Sequence, residues 1–254
     1  MLIIEQLPVL ADNYVYLLQD SATSQTAVVD PAIAKPVQDA LAARGWTLHY
    51  ILNTHHHGDH VGANLALQQA TGCQIVGFAD DRARIPGLTL PVNDGASIAL
   101  GDTVFEVIAT PGHTLGHCCY YCPEHQALFC GDTLFVMGCG RVFEGTPGQL
   151  WQSLCKLRQL PESTRVFCAH EYTLNNARFA LSLTPASTAL QQRLQHIQQR
   201  RSQRHSTVPS TLAEERQFNP FMNADDPAWR TRLNMPGADD MAIFTRLRAL
   251  KDTF

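Results

Sequence analysis

Apolar and polar positions change in short runs along the first two-thirds of the chain and take helical spacing later. Leu2–Leu7, Tyr14–Gln19 and Thr26–Val29 are apolar runs broken by turn residues, which predicts three strands. Lys35–Arg44 has helical spacing and ends at Gly45, a predicted C-cap. A strand is expected at His49–Asn53, a helix at Asp59–Thr71 closed by Gly72, and a strand at Gln74–Phe78. Ser97–Leu100 and Thr103–Ala109 flank Gly101-Asp102, a hairpin turn, and Cys118–Cys122 and Ala127–Cys130 flank another. Pro147 suits the first turn of a helix running to Leu160, and Arg165–Ala169 reads as a last strand. Beyond it Asn175–Leu183, Ala186–Arg204 and Ala242–Leu250 have helical spacing, while 205–240 predicts loop. The division expected is an α/β body over 1–173 and a small helical domain over 174–254.

Composition changes this picture little. Of 254 residues 45% are apolar and 17% charged, as in ordinary globular proteins. Charge is uneven: residues 1–184 carry 9 Lys/Arg against 16 Asp/Glu, and 185–254 carry 10 against 7. A basic tail beside an acidic body suits an anionic substrate, and a solvated helical surface explains it equally well. It is too weakly basic for nucleic acid as the main partner. Glu5 interrupts the apolar Met1–Ile4 and no basic stretch precedes it, so no signal peptide is expected. No run approaches the roughly 18 apolar residues of a membrane span. Eight cysteines, two of them adjacent at 118 and 119, do not form a secreted disulfide framework. A monomer in the cytoplasm with reduced thiols is expected. Cys119-x-x-Cys122 has redox spacing, but on a strand it reads as buried small side chains.

The candidate chemistry is dense in one place. His55, His57, Asp59 and His60 form H-x-H-x-D-H, four metal-capable side chains in six positions, directly after a predicted strand. Three more candidates follow predicted strands: His113 in Pro111-Gly112-His113-Thr114, Asp132 in Gly131-Asp132-Thr133, and His170 in Ala169-His170-Glu171. Strands ending along one sheet edge would bring these together. A single catalytic zinc takes three protein ligands and a water, so five histidines and two aspartates exceed one ion. Two ions with three ligands each, sharing one carboxylate, use all seven. His56 points away in an extended segment, His117 is a second choice, and His49, His125, His196 and His205 read as surface residues. Asp30, at the end of a strand, is a candidate to hydrogen-bond a ligand histidine.

These segments, H-x-H-x-D-H, then G-H-T, then G-D-T and a late histidine, resemble the metallo-β-lactamase superfamily. The resemblance implies an α/β fold, the αββα sandwich, with His55, His57 and His113 on one ion, Asp59, His60 and His170 on the other, and Asp132 bridging. A narrower likeness covers nearly the whole chain. Residues 138–145 (GCGRVFEG), 170–176 (HEYTLNN), 209–215 (PSTLAEE), 219–221 (NPF) and 248–252 (RALKD) resemble the glyoxalase II family. Its members hydrolyse S-(2-hydroxyacyl)glutathione thioesters, S-D-lactoylglutathione to D-lactate and glutathione, in methylglyoxal detoxification. The resemblance implies glutathione contacts at Arg141, Phe143, Tyr172, Arg248 and Lys251. Arg and Lys suit the two carboxylates of glutathione. Phe143 stands where some relatives carry Tyr, which reduces its role to packing.

The chemistry so implied is attack on the thioester carbonyl by a metal-bridging hydroxide, with Asp59 and Asp132 as the catalytic carboxylates. The cofactor expected is a pair of divalent ions, zinc first, with iron or manganese also suited to a His/Asp set. Another superfamily hydrolase, such as a lactonase or β-lactamase, would lack the glutathione clamp. A persulfide dioxygenase would hold one iron and leave ligands unused, and a non-catalytic metal-binding protein would be inactive in any assay.

Overall fold

The computed structural model describes residues 1–254. Contacts group the chain into two compact units. The first holds Met1–Thr110 and Leu115–Gly131, the second Pro111–Thr114 and Asp132–Phe254. This grouping cuts across the expected division after residue 173.

In the first unit β1 (Leu2–Val9), β2 (Asn13–Asp20), β3 (Thr26–Val29), β4 (Leu48–Leu52), β5 (Gln74–Phe78) and β6 (Leu90–Val92) form one sheet in chain order. β1–β3 pair antiparallel, and β3–β6 pair parallel. Parallel neighbours need crossovers. For the first two pairs these are α1 (Ala34–Arg44) and α3 (Asn64–Thr71), capped by Gly45 and Gly72 as the sequence predicts, while residues 79–89 join β5 to β6 without an α-helix. Successive strand side chains point to opposite faces, and β2 is buried along its whole length. Val15 and Leu17 therefore join Val28, Ile51 and Ile75 under Val37, Leu41 and Leu67 of the two helices. Tyr16, on the other face, meets Phe129 edge-on at 5.5 Å. Phe129 belongs to a meander of β7 (Ser97–Leu100), β8 (Thr103–Ala109), β9 (Cys118–Cys122) and β10 (Ala127–Gly131), which covers that face. The unit is thus helices, sheet, sheet.

The helix expected over Asp59–Thr71 is broken. A single turn, α2 (Gly58–Val61), precedes α3, and the Ala63 N–H donates to the Pro31 carbonyl at 2.9 Å instead of continuing the helical ladder.

Beyond Asp132 the second unit holds a hairpin of two-residue strands, β11 (Leu134–Phe135) and β12 (Gly138–Cys139). There follow α4 (Pro147–Leu157), β13 (Arg165–Cys168), α5 (Thr173–Leu183) and α6 (Thr188–Ser202). Pro147 occupies the first turn of α4, behind a Thr146–Gln149 capping box. The 205–240 stretch, expected as loop, holds β14 (Ser210–Thr211), α7 (Leu212–Phe218) and α8 (Ala228–Arg232) before α9 (Asp240–Asp252). Thr211 and Glu214 form the capping box of α7, a pattern readable as Thr-x-x-Glu. Trp151 of α4 packs on Phe244 of α9, and Phe221 meets both Phe179 and Phe244. No helix is long and apolar enough to cross a membrane. All eight cysteines are free thiols, and Cys119 and Cys122 lie buried on β9.

Candidate metal centre and substrate pocket

Each unit carries its own cluster of ligand-type side chains. In the first, β4 ends at Leu52 and the chain runs through His55 and His57 into α2, which presents Asp59 and His60. His55 Nε2 lies 3.0 Å from His57 Nδ1, and His60 Nε2 lies 3.5 Å from Asp59 Oδ2. The His55 and His60 rings lie 4.0 Å apart, so the four side chains form one cluster. His55, Asp59 and His60 are also held from behind. His60 Nδ1 lies 3.0 Å from the buried carboxylate of Asp30. Asp30 also accepts the Thr54 N–H at 2.8 Å and the Thr54 hydroxyl at 2.7 Å. His55 Nδ1 lies 3.1 Å from that hydroxyl. Asn13 Nδ2 donates to Asp59 Oδ2 at 3.0 Å, and Asn53 Nδ2 donates to the His60 carbonyl at 3.0 Å. The Asp30 contact was anticipated; Asn13, Asn53 and Thr54 were not, since nothing local marks them.

His56 turns to Asp81, Nδ1 to Oδ2 at 3.0 Å. The second-choice ligand His117 takes Thr110 Oγ1 at 2.8 Å and stacks on His55 with ring centres 5.0 Å apart. Two expected surface histidines are half-buried and accept backbone N–H groups, His49 from Thr26 at 3.1 Å and His125 from Leu2 at 3.2 Å. His196 and His205 are exposed as expected.

In the second unit Asp132 stands between two imidazoles. Its Oδ2 lies 3.4 Å from His113 Nε2 and its Oδ1 lies 3.3 Å from His170 Nε2. His113 Nδ1 lies 2.8 Å from the Arg141 carbonyl, which fixes the proton there and turns Nε2 outward. Gly140 lets the Asp132 backbone pass close by, since a Cβ there would collide with the Asp132 carbonyl.

The donors fit divalent cations. A tetrahedral ion with ligands at about 2.0–2.1 Å separates them by about 3.3–3.4 Å along each edge. Spacings of 3.3–3.5 Å between His and Asp atoms match that edge and exceed good hydrogen-bond lengths. Neutral imidazoles anchored through the far nitrogen, beside carboxylates, are the usual donor set of such sites.

His113 and Asp132 also open into a cavity of about 550 Å³. All five residues expected to contact substrate line it: Arg141, Phe143, Tyr172, Arg248 and Lys251. Phe143 is 62% exposed and packs 5.1 Å from the His113 ring. Tyr172 stacks on His170, ring centres 4.8 Å apart and planes 2° off parallel. Arg248 differs from a surface clamp. It is 5% exposed, donates from Nη1 to the Cys139 carbonyl at 2.9 Å and from Nη2 to Asp252 at 2.9 Å, and lies over Phe221. Lys251 bonds Asn175, and burial, then the charges of Arg248 and Arg141, push its pKa down to about 8. Phe135, Cys139, Asn175, Asn176, Asp252 and Phe254 complete the wall.

The family described as Metallo-beta-lactamase superfamily matches residues 10–170, and that described as Hydroxyacylglutathione hydrolase C-terminus matches residues 171–254. A hydroxyacylglutathione hydrolase from Methylococcus capsulatus is 52% identical over 254 residues, 100% of this chain and 99% of its own length. This chain belongs to the hydroxyacylglutathione hydrolase family. Among solved structures, ETHE1 from Myxococcus xanthus superposes with a TM-score of 0.70 at 27% identity, over 97% of this chain and 90% of its own. TTHA1623 in a di-iron-bound form gives 0.61 at 25% identity, over 86% of this chain and 99% of its own. The fold is thus the α/β sandwich of metallo-β-lactamases followed by the helical C-terminal region of this hydrolase family.

Proposed function

We infer that the protein hydrolyses S-(2-hydroxyacyl)glutathione thioesters, S-D-lactoylglutathione to D-lactate and glutathione, the second step of methylglyoxal detoxification. The observation that carries this is the 550 Å³ cavity, in which Arg141 and Lys251 share a wall with His113 and Asp132. A doubly carboxylated thiol carrier would thereby be gripped beside ligand-type side chains.

His55, His57 and His113 would hold one divalent ion, Asp59, His60 and His170 a second, and Asp132 would serve both. Support comes from the pairings within each cluster and from the two oxygens of Asp132, which face different histidines. Zinc suits this set, and iron or manganese suits it too; the di-iron form of TTHA1623 belongs to that protein. Bound ions would polarise the thioester carbonyl and make hydroxide available near neutral pH.

The remaining work falls to the chain. Asp30 and the Arg141 carbonyl hold the protons of His60 and His113 on Nδ1, which keeps Nε2 a lone-pair donor. Asn13 fixes Asp59, which would orient the attacking water by a hydrogen bond. Arg141 and Lys251 would bind the glutathione carboxylates, and Phe143 would pack on the thioester arm. Arg248 would shape the wall through Cys139 and Asp252 and offer its unused N–H to the substrate. The leaving thiolate has a reference pKa of roughly 8.5, so no strong acid is needed. Residues 1–173 would supply the catalytic domain and 174–254 much of the glutathione grip. A monomer in the cytoplasm, where thiols stay reduced, accords with eight free cysteines.

The test is hydrolysis of S-D-lactoylglutathione by metal-replete protein, with a chelated control. Turnover that disappears on chelation and returns with metal is expected. Inert metal-replete protein would refute the reading.

A further inference from the structure

Residues 209–215 and 219–221 are two of the segments in which the chain resembles its family, yet none of them lines the cavity. Two of their side chains, Glu215 and Asn219, reach instead to the β11–β12 turn. Glu215, fully buried on α7, accepts the Met137 N–H at 2.8 Å through Oε2. The same oxygen accepts from Asn219 Nδ2 at 2.9 Å. Asn219, also fully buried, donates to the Gly138 carbonyl at 2.9 Å and reaches the Phe135 carbonyl at 3.3 Å. From the other side Asn176 of α5 donates to the Val136 carbonyl at 3.1 Å. A side chain at Gly138 would collide with that Asn176 amide. Met137 is held at φ +59°, a left-handed conformation that a methionine rarely adopts. Every polar backbone atom named here is thus tied to a side chain outside the hairpin.

The turn matters because of what its strands present. Phe135 lies 5.3 Å from the Tyr172 ring and 5.8 Å from the His170 ring. The Cys139 carbonyl takes the Arg248 guanidinium. Phe135 and Cys139 both line the cavity. A relaxed turn would release the edge on which Tyr172 rests and the acceptor that orients Arg248.

We propose that Glu215 and Asn219 are positioning residues for the glutathione-binding wall, acting through the backbone of residues 135–139. The proposal rests on the hydrolase reading above. It requires no contact between either residue and the substrate. A buried carboxylate suits the task because one oxygen can accept two N–H donors at once, one from the hairpin and one from the asparagine that holds it. Glutamine keeps such an oxygen and alanine does not.

The experiment compares Glu215→Ala, Glu215→Gln and Glu215→Asp with wild type in kcat and KM for S-D-lactoylglutathione, metal content, and amide exchange over 134–140. Alanine should raise KM about fivefold or more with kcat within about twofold. It should speed exchange at Met137 and leave metal content unchanged, and glutamine should restore KM to within about twofold. Should alanine fail to fold, aspartate, one methylene too short for the Met137 N–H, should raise KM in the same way. An unchanged KM in folded alanine and aspartate variants overturns the proposal, as does a loss confined to kcat or a glutamine as poor as alanine. Wild type inert with its metal bound would strike the hydrolase reading instead. The exchange comparison would then still decide whether Glu215 holds the turn, and unaltered exchange at Met137 refutes it independently.

Discussion

Substituting Asp30→Asn isolates what a single buried carboxylate contributes to metal affinity. Asparagine keeps the shape and one acceptor, so Oδ1 still takes the Thr54 N–H. It also tolerates the left-handed backbone of this position, φ +50°. What changes is the atom 3.0 Å from His60 Nδ1. An amide N–H there opposes the ring N–H. The ring can answer only by moving its proton to Nε2, the atom that would bind the ion. The lost interaction is a hydrogen bond to a charged, buried acceptor, about 1.5–3 kcal/mol. At 1.4 kcal/mol per decade this is roughly 10- to 100-fold in affinity, the range found for residues that orient metal ligands. The assay is metal content of wild type and variant dialysed against graded chelator. One ion should leave the variant at 10- to 100-fold less chelator than in wild type, in the manner of about one lost decade or two, and the other should stay. Equal retention of both ions would refute the assignment of His60 and the role of Asp30 behind it.

Asp132→Ala should lower kcat by roughly 10³-fold, the scale of losing one electrostatic element of a transition state; near-normal turnover with two ions bound would contradict a bridging role. Lys251, with its pKa pushed down to about 8, is charged below that pH and neutral above. KM should therefore climb as pH rises from 7 to 9, by about fivefold for a partly exposed ion pair, and Lys251→Met should flatten the profile. Burial raises Glu215 to about 7, so between its unfolded value and 7 the native state holds a proton that the unfolded chain has released. Stability then falls as pH rises through that window, by about 3 kcal/mol in all. Glu215→Gln should unfold at higher urea than wild type at pH 8 and at similar urea at pH 5; no difference between the two pH values would refute the buried ionisation.

The clusters of ligand-type side chains were legible because chemistry and sequence coincide there. H-x-H-x-D-H concentrates donors beyond any structural need, and His113, Asp132 and His170 each follow an apolar run. The cap glycines and Pro147 were legible because they act within one turn of themselves. Features set by distant partners were hidden. The break between α2 and α3 depends on the Pro31 carbonyl, more than thirty positions earlier. Family resemblance placed Arg248 at the site, but nothing local told that it is buried and donates to the Cys139 carbonyl 109 positions away. His125 looked like surface because Leu2, 123 positions away, is its donor. The helix at Leu212–Phe218 differs, since its start is marked by the Thr211-x-x-Glu214 cap rather than by an apolar period.

The thiols carry a consequence for a catalyst that would release glutathione at every turnover. Seven of the eight cysteines are buried, and burial raises the thiol pKa at Cys73, Cys118, Cys139, Cys155 and Cys168, to about 11 at Cys139 and about 12 at Cys168. Only a thiolate exchanges with a disulfide or captures an acyl group. Protonated and shielded, these side chains are poor traps for oxidised glutathione or for an activated lactoyl group. The fold would thereby keep its own sulfur out of the chemistry it performs on someone else's.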